Sequence, residues 1–348
     1  MTPAEPPPAA LRLGIDRDAL KSNWTALDAM SGTARAGAAV KADGYGLGSR
    51  HVVPVLREAG CADFFVAHWS EVADLLGLLP PEQISVLHGP LTGADAAYAK
   101  ATGVKPVINS LHQAQLWLAA GGGLCDLMVD TGINRLGLPP GGLGDSAIAQ
   151  LEIDTLHSHL ASADENSALN AVQQQRWVAA RGQVRHRRAA LANSAGIALG
   201  GDYHGDLTRP GLALYGGVPR PELADVIRQV ARPEVALMQV RELTAGESVG
   251  YNATFTADRP MRVGVVALGY ADGYLRSWSG KGTLRADEAA LPVLGRVSMD
   301  MTVVDLSAAP QLREGDWVSV DYRLPEAAAA SGLSQYELLT LLGLRFAR

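Results

Sequence analysis

The chain has 348 residues, too many for one ordinary domain and ample for a large core plus a second unit. With 47% hydrophobic and 19% charged residues its composition is that of a soluble globular protein, and no run approaches the ~20 apolar residues that a membrane helix needs. A formal net charge of -6 argues against nonspecific binding to nucleic acid or an anionic membrane, and two cysteines, Cys61 and Cys125, supply neither a disulfide framework nor a zinc-binding pattern. The Pro-rich residues 1–10 read as a flexible segment without the basic-then-apolar pattern of a secretory signal, so the cytoplasm is the expected compartment.

In chain order, residues 11–15 read as a strand, and Asp16 suits the N-cap of a helix over 17–30. Apolar runs then recur at 36–40, 63–67, 84–88, 105–108, 124–129, 152–157, 189–193 and 211–215. Amphipathic stretches lie between them, among them 50–59, 69–78, 110–120 and 165–181. Strand and helix alternating about eight times predict a parallel (β/α)8 TIM barrel over 11–231, carrying no GxGxxG dinucleotide fingerprint. The basic cluster 181–188 reads as a solvated helix end, and 218–232 as a connection. From 232 to 348 the rhythm changes to strand-like runs at 235–243, 261–270, 284–293, 303–306 and 317–322, which predict a mostly β domain with one late helix at 333–342.

Chemistry concentrates where barrel strands end. Lys41, one of only five lysines, follows the run 36–40 and opens the glycine-rich turn that holds Gly44, Gly46 and Gly48. A partly desolvated lysine there can lose its proton near neutral pH and form a Schiff base. The same position also fits a solvated strand-end lysine. Later loops offer Arg135 in Asp130-Thr131-Gly132-Ile133-Asn134-Arg135-Leu136-Gly137, which also reads as a capped turn, and His157 and His159 after another strand, where a histidine is often structural. Ser194, in Ala192-Asn193-Ser194-Ala195-Gly196, sits among small residues whose N–H groups can converge on an anion, and Arg209 precedes the run 211–215.

These blocks carry a resemblance. Val-Lys-Ala-Asp-Gly-Tyr-Gly-Leu-Gly around Lys41, with TGINRLG, SHLASAD, ANSAG, RPGLALYG, SVGYNATFTA, LGYADGY and GRVSMDMTVVDL, resembles the alanine racemases nearly end to end. The resemblance implies an isomerase that interconverts L- and D-alanine with pyridoxal 5'-phosphate, for peptidoglycan synthesis or for D-alanine breakdown. It further implies that Lys41 holds the cofactor and serves as one base, and that Tyr251 is the second base on the opposite face. Tyr45, Ser194, Gly211, Leu212 and Tyr336 would bind the cofactor phosphate. Arg209 would face the pyridine nitrogen, and a guanidinium there, which does not readily give up its proton, weakens the electron sink and limits side reactions. His159 would contact Tyr251. Arg135, Met299, Tyr270 and Asp300 would meet the substrate or line the entrance. A homodimer with shared active sites is implied, with a small-molecule substrate and no metal.

The chain also departs from that pattern. Met128 stands where a carbamylated lysine is common, so the usual positioning group for Arg135 is missing, and Ala190 stands where a histidine usually supports the pyridine-facing arginine. Ser298 replaces a frequent cysteine, and the chain stops at Arg348, so its last strands are expected to be short. Alternatives on related scaffolds are a broad-specificity or serine racemase, an amino-acid decarboxylase, which Arg209 disfavours, and a pyridoxal-phosphate carrier, which the second domain and Tyr251 disfavour.

Overall fold

The computed structural model describes residues 7–348, so the start of the segment expected over 1–10 lies outside the described residues. The chain divides into two compact units, one of residues 17–228 and one that joins the N-terminal residues to 229–348.

The first unit is a parallel barrel. Strands Ala38–Ala39, Phe64–Val66, Ile84–Val86, Lys105–Ile108, Leu124–Met128, Glu152–His157 and Arg188–Ala190 pair in sequence order. Their burial is nearly continuous, the pattern of strands covered on both faces. The ring closes through Leu207–Thr208, which pairs with Arg35–Ala36. On its other side Asp206 N donates to Ala189 O at 2.8 Å and Arg209 N to Ala192 O at 2.8 Å. Residues 35–39 therefore serve both neighbours, turning at Gly37, where a Cβ would stand 2.8 Å from Asp63 O and 2.9 Å from the Phe65 ring. Helices Arg17–Met30, Ser49–Ala59, Leu111–Ala119 and Ala168–Arg181 cover the outside. Buried Phe64, Trp117, Trp177, Ile108 and Leu156 fill the layer beneath them, at about 1.5–3 kcal/mol for each large side chain.

Three expectations need correction. Strand Leu11–Ile15 is not in the barrel: it pairs antiparallel with Ala231–Leu243, Leu11 opposite Val235, and belongs to the second unit. Its burial alternates, so one face is exposed, whereas a barrel strand needs both faces covered. The run 211–215 is not the eighth strand. Pro210 has no N–H for a ladder, and Leu212–Tyr215 coils into a 3-10 turn. Arg188 is not part of a solvated helix end, because it sits on a barrel strand and pairs with Asp63 and Asp154 at 2.7 and 2.8 Å.

The second unit is a closed antiparallel barrel. Ala231–Leu243, Met261–Val266, Thr302–Asp305, Ala289–Leu294, Thr283–Ala286 and Trp317–Val320 pair in that order, and Trp317–Val320 returns to Ala231–Leu243. The expected run 284–293 is a hairpin, Thr283–Ala286 and Ala289–Leu294, turned at Asp287 with φ 49°. Helices Leu324–Ser331 and Gln335–Thr340 end the chain.

Candidate active site

Lys41 begins a single helical turn, Lys41–Tyr45, that winds left-handed: φ is 53° at Ala42, 52° at Asp43, 64° at Gly44 and 55° at Tyr45. For the non-glycine residues this costs roughly 1–2 kcal/mol each, so the surroundings must hold it. Glu71 does so from the next strand's loop. Its Oε1 accepts from Ala42 N at 2.5 Å, and its Oε2 accepts from Ala67 N and His68 N, both at 2.8 Å. Asp43 Oδ1 accepts from Ser49 N and Oγ at 2.7 and 2.9 Å. The turn aims the half-buried Lys41 into a cationic mouth. Burial, then the guanidinium groups of Arg135 and Arg209, hold its ammonium below the usual lysine range, against the opposing charge of Glu71.

Arg135 projects from an exposed loop tied by Asp130 Oδ1, which accepts from Gly132, Ile133 and Asn134 N–H at 2.8, 3.0 and 3.2 Å. Beneath it, Met128 is buried and would meet a Cβ at Gly137 at 3.0 Å, so the loop rests on an apolar floor. Arg209 is buried. Its Nη2 donates to the carbonyls of Ser158 and Leu191, while its Nε has no partner. Burial lowers its pKa to about 10 although the Asp126 charge opposes that shift. His159 is pushed down to about 3 by burial and by Arg209, Arg135 and Lys41, so it stays neutral.

Beside this cluster lies a small polar cradle. Ser194 Oγ, buried, accepts from Gly211 N at 2.9 Å and Ala213 N at 3.2 Å, which draws the Leu212–Tyr215 turn onto the start of Ser194–Ala198. A Cβ at Gly211 would stand 2.2 Å from the Tyr45 hydroxyl, so only glycine lets that hydroxyl in. The Tyr45 ring stacks on Tyr215 at 4.8 Å, and Tyr215 Oη donates to Ala39 O at 2.8 Å. Hydroxyls and backbone amides beside three cations form a site for a phosphate or another multiply charged anion.

The barrel unit thus brings together Lys41, Tyr45, Arg135, His159, Ser194, Arg209, Gly211 and Leu212. The other expected site residues lie on the second unit. Tyr251 starts a turn, Tyr251–Ala253, with Asn252 at φ 62°, and the tyrosine is 68% exposed. Tyr270, Met299 and Asp300 come together where two loops touch. Tyr270 N donates to Ser298 O and Ala271 N to Met299 O, both at 3.0 Å, and a Cβ at Gly269 would lie 2.3 Å from Met299 O. Arg345 ties the cluster, donating to Asp300 and to the buried Asp272 at 2.7 Å each. Tyr336 is exposed on Gln335–Thr340, and the segment after that helix packs on the same loops through Gly343 N and Asp272 O, 3.1 Å apart.

Sequence reasoning missed Glu71, which lay inside an amphipathic run, and the His68–His88 pair, edge to face at 4.2 Å. His88 is pushed down by burial, His68, Lys41 and Arg135, which places it at the same mouth. Among the described residues no cluster of three or more His, Cys, Asp or Glu side chains suits a metal ion, and no helix is long and apolar enough to cross a membrane.

Comparison with known proteins matches this architecture. The family profile "Alanine racemase, N-terminal domain" covers residues 15–219, and "Alanine racemase, C-terminal domain" covers 230–348. The chain is 40% identical to the alanine racemase of Methylobacterium nodulans, over 97% of this chain and 95% of that protein. Agrobacterium fabrum has a biosynthetic and a catabolic alanine racemase, 39% and 40% identical, spanning 98% of this chain and 93% and 92% of theirs. Among solved structures, alanine racemase from Bartonella henselae with covalently bound pyridoxal phosphate superposes with a TM-score of 0.90 at 32% identity, covering 98% of this chain and 99% of that one. The biosynthetic enzyme of Pseudomonas aeruginosa superposes with a TM-score of 0.88 at 32% identity, over 98% and 99%. Glycine-rich turn, cationic mouth, anion cradle and β-barrel unit all fall within these matches, and the chain belongs to the alanine racemase family.

Proposed function

We propose that this chain interconverts L-alanine and D-alanine, using pyridoxal 5'-phosphate held by Lys41 and two bases, Lys41 and Tyr251. One observation carries the reading: a lysine of lowered pKa stands among Arg135, Arg209 and His159, beside the cradle of Tyr45, Ser194 and Gly211. The residues fit the cofactor. The cradle leaves no room for a Cβ, and the unpartnered Nε of Arg209 is a buried donor that awaits an acceptor.

In this reading Tyr45, Ser194 and the backbone of Gly211 and Leu212 would hold the phosphate. Arg209 faces the pyridine nitrogen. Bound there, pyridoxal phosphate supplies an electron sink that acidifies the substrate Cα–H.

Lys41 Nζ would move a proton at the substrate Cα. Its lowered pKa favours the neutral amine that accepts that proton. Tyr251 Oη moves the proton on the opposite face, so one residue delivers while the other removes. Arg135 pairs with the substrate carboxylate and fixes which bond is presented, and His159, neutral, accepts or donates a hydrogen bond to Tyr251. Met299 and Tyr270 line the entrance, and Arg345 holds Asp300 in place there. The exposure of Tyr251 supports its service to the site of a second copy, in a homodimer with shared active sites. The cytoplasm is the compartment this reading assigns.

The test is optical. Purified protein loaded with pyridoxal phosphate should abolish the circular dichroism of L-alanine as it approaches the racemate. Persisting optical activity, while the visible band of lysine-bound cofactor is present, contradicts the proposal.

A further inference from the structure

The barrel interior below the mouth holds charges that the proposed reaction does not use. Lys105 Nζ donates to Asp154 Oδ2 at 2.6 Å and stands 3.9 Å from Asp126 Oδ1. Arg188 links Asp154 to Asp63. Asp126, fully buried, accepts from Ser85 Oγ at 2.7 Å and from Thr155 N at 3.1 Å. Next above it stands His157, with no exposed surface and Nε2 3.2 Å from Asp126 Oδ2. A buried charge chain of this kind is a poor source of stability compared with apolar packing, so its position asks for another explanation.

His157 ends the strand Glu152–His157, and its register partners are Met128 on one side and Ala190 on the other, neither of which can hydrogen-bond through its side chain to a guanidinium with any strength. Its ring meets Phe65 edge to face at 5.7 Å, and Ala190 packs with Phe65 and Leu207, so the level is otherwise apolar. Arg209 is held at the same level. Its Nη2 donates to the carbonyls of Ser158 and Leu191, the residues that follow His157 and Ala190. The buried polar atoms there that lack hydrogen-bond partners are Arg209 Nε, the donor left for the cofactor, and both ring nitrogens of His157.

We propose that His157 is a positioning residue for Arg209: seated between Met128 and Ala190 and backed by Asp126, it presents an imidazole acceptor that orients the guanidinium toward the barrel mouth. The tautomer follows from the neighbours. Asp126 attracts the proton to Nε2, which leaves Nδ1 a lone pair for a donor such as Arg209. Charge supports the pairing from both ends, since Arg209 is the main charged group that holds His157 neutral, and Asp126 is the one that raises Arg209. Asp126 thereby balances two cations, Lys105 directly and Arg209 through the ring.

The inference rests on the proposed function, because it assigns Arg209 to the cofactor, and its test reads cofactor binding without turnover. Holoenzyme without substrate is titrated with base, and the midpoint of the visible absorption change is recorded together with affinity for pyridoxal phosphate. His157→Phe, which keeps an aromatic ring against Phe65, should shift the midpoint and weaken affinity roughly tenfold, the scale of coupling within one network. His157→Gln should restore most of both, and in an Arg209→Gln background His157→Phe should add nothing further. Asp126→Asn should move the midpoint in the same direction as His157→Phe, which keeps the question answerable should the phenylalanine variant not fold. The proposal is overturned by an equal shift of the midpoint in the Arg209→Gln background, or by variants that melt earlier while midpoint and affinity stay where they were. A holoenzyme that shows these couplings but leaves L-alanine unchanged would refute the reaction and not the role of His157.

Discussion

Adding one methyl group at position 211 tests the cradle. In Gly211→Ala the new Cβ would stand 2.2 Å from Tyr45 Oη, 2.9 Å from Tyr45 Cζ and 3.4 Å from the Ala39 Cβ. The hydroxyl must retreat by about 1 Å to reach ordinary contact, yet the ring is backed by Tyr215, stacked at 4.8 Å and anchored on Ala39 O. Overpacking of this kind costs about 1–3 kcal/mol. The displaced hydroxyl also forfeits a hydrogen bond to a charged group, about 1.5–3 kcal/mol, so affinity for pyridoxal phosphate should fall roughly tenfold to a hundredfold. Titrating apoprotein with the cofactor and following the visible band gives the affinity. Gly144→Ala, where a Cβ meets nothing within 4 Å, is the control and should bind as the parent does. Equal affinity in Gly211→Ala would show that Tyr45 and Gly211 do not hold the phosphate.

Three further outcomes are expected. Lys41→Ala should lose the visible band of covalently held cofactor on purification and gel filtration, and a retained band would move the attachment to another lysine. Tyr251→Phe should keep the band and lose turnover by about two to four orders of magnitude, the usual worth of a proton-transfer group, and normal racemisation would remove Tyr251 from the mechanism. Stability should fall on acidification. His157, fully buried, is pushed from 6.5 down to about 4, so below about pH 6.5 the unfolded chain takes up a proton that the folded chain refuses. From about pH 6.5 to about pH 5 that one residue should remove about 2 kcal/mol, read as a lower denaturant midpoint, and the loss should shrink in His157→Phe. A midpoint that holds or rises at the lower pH contradicts the buried neutral imidazole.

How far the sequence reached differed between backbone and site. The parallel strands were legible because they are short apolar runs and most are followed by a capped helix, as in Lys105–Ile108 and then Ser110, whose Oγ accepts from Gln113 N ahead of Leu111–Ala119. Closure was not legible. Leu11–Ile15 looks like a first barrel strand, and only its pairing with Ala231–Leu243 assigns it elsewhere. The run 211–215 is as apolar as a strand, but its burial comes from packing under the site, with Tyr215 reaching Ala39. Lys41 stood out because a lone cation ends an apolar run at a glycine-rich turn. Glu71 did not, since beside the N–H groups of Ala67 and His68 in its own loop it accepts from Ala42 N on the Lys41 turn, a long-range contact that no local pattern records. Asp126 and His157 lie inside apolar strands, where charge and ring are visible in the sequence but their shared barrel interior is not.

The two-base assignment meets its most direct test in heavy water. L-alanine is incubated with the holoenzyme in D2O, and the D-alanine formed in the first turnovers is analysed for isotope at Cα. With one of Lys41 and Tyr251 removing the proton and the other delivering on the opposite face, that D-alanine should carry deuterium from the outset, because the delivered hydrogen comes from a group already exchanged with solvent. D-alanine that retains the substrate's own proton would contradict the account, since one residue would then be doing the work of both.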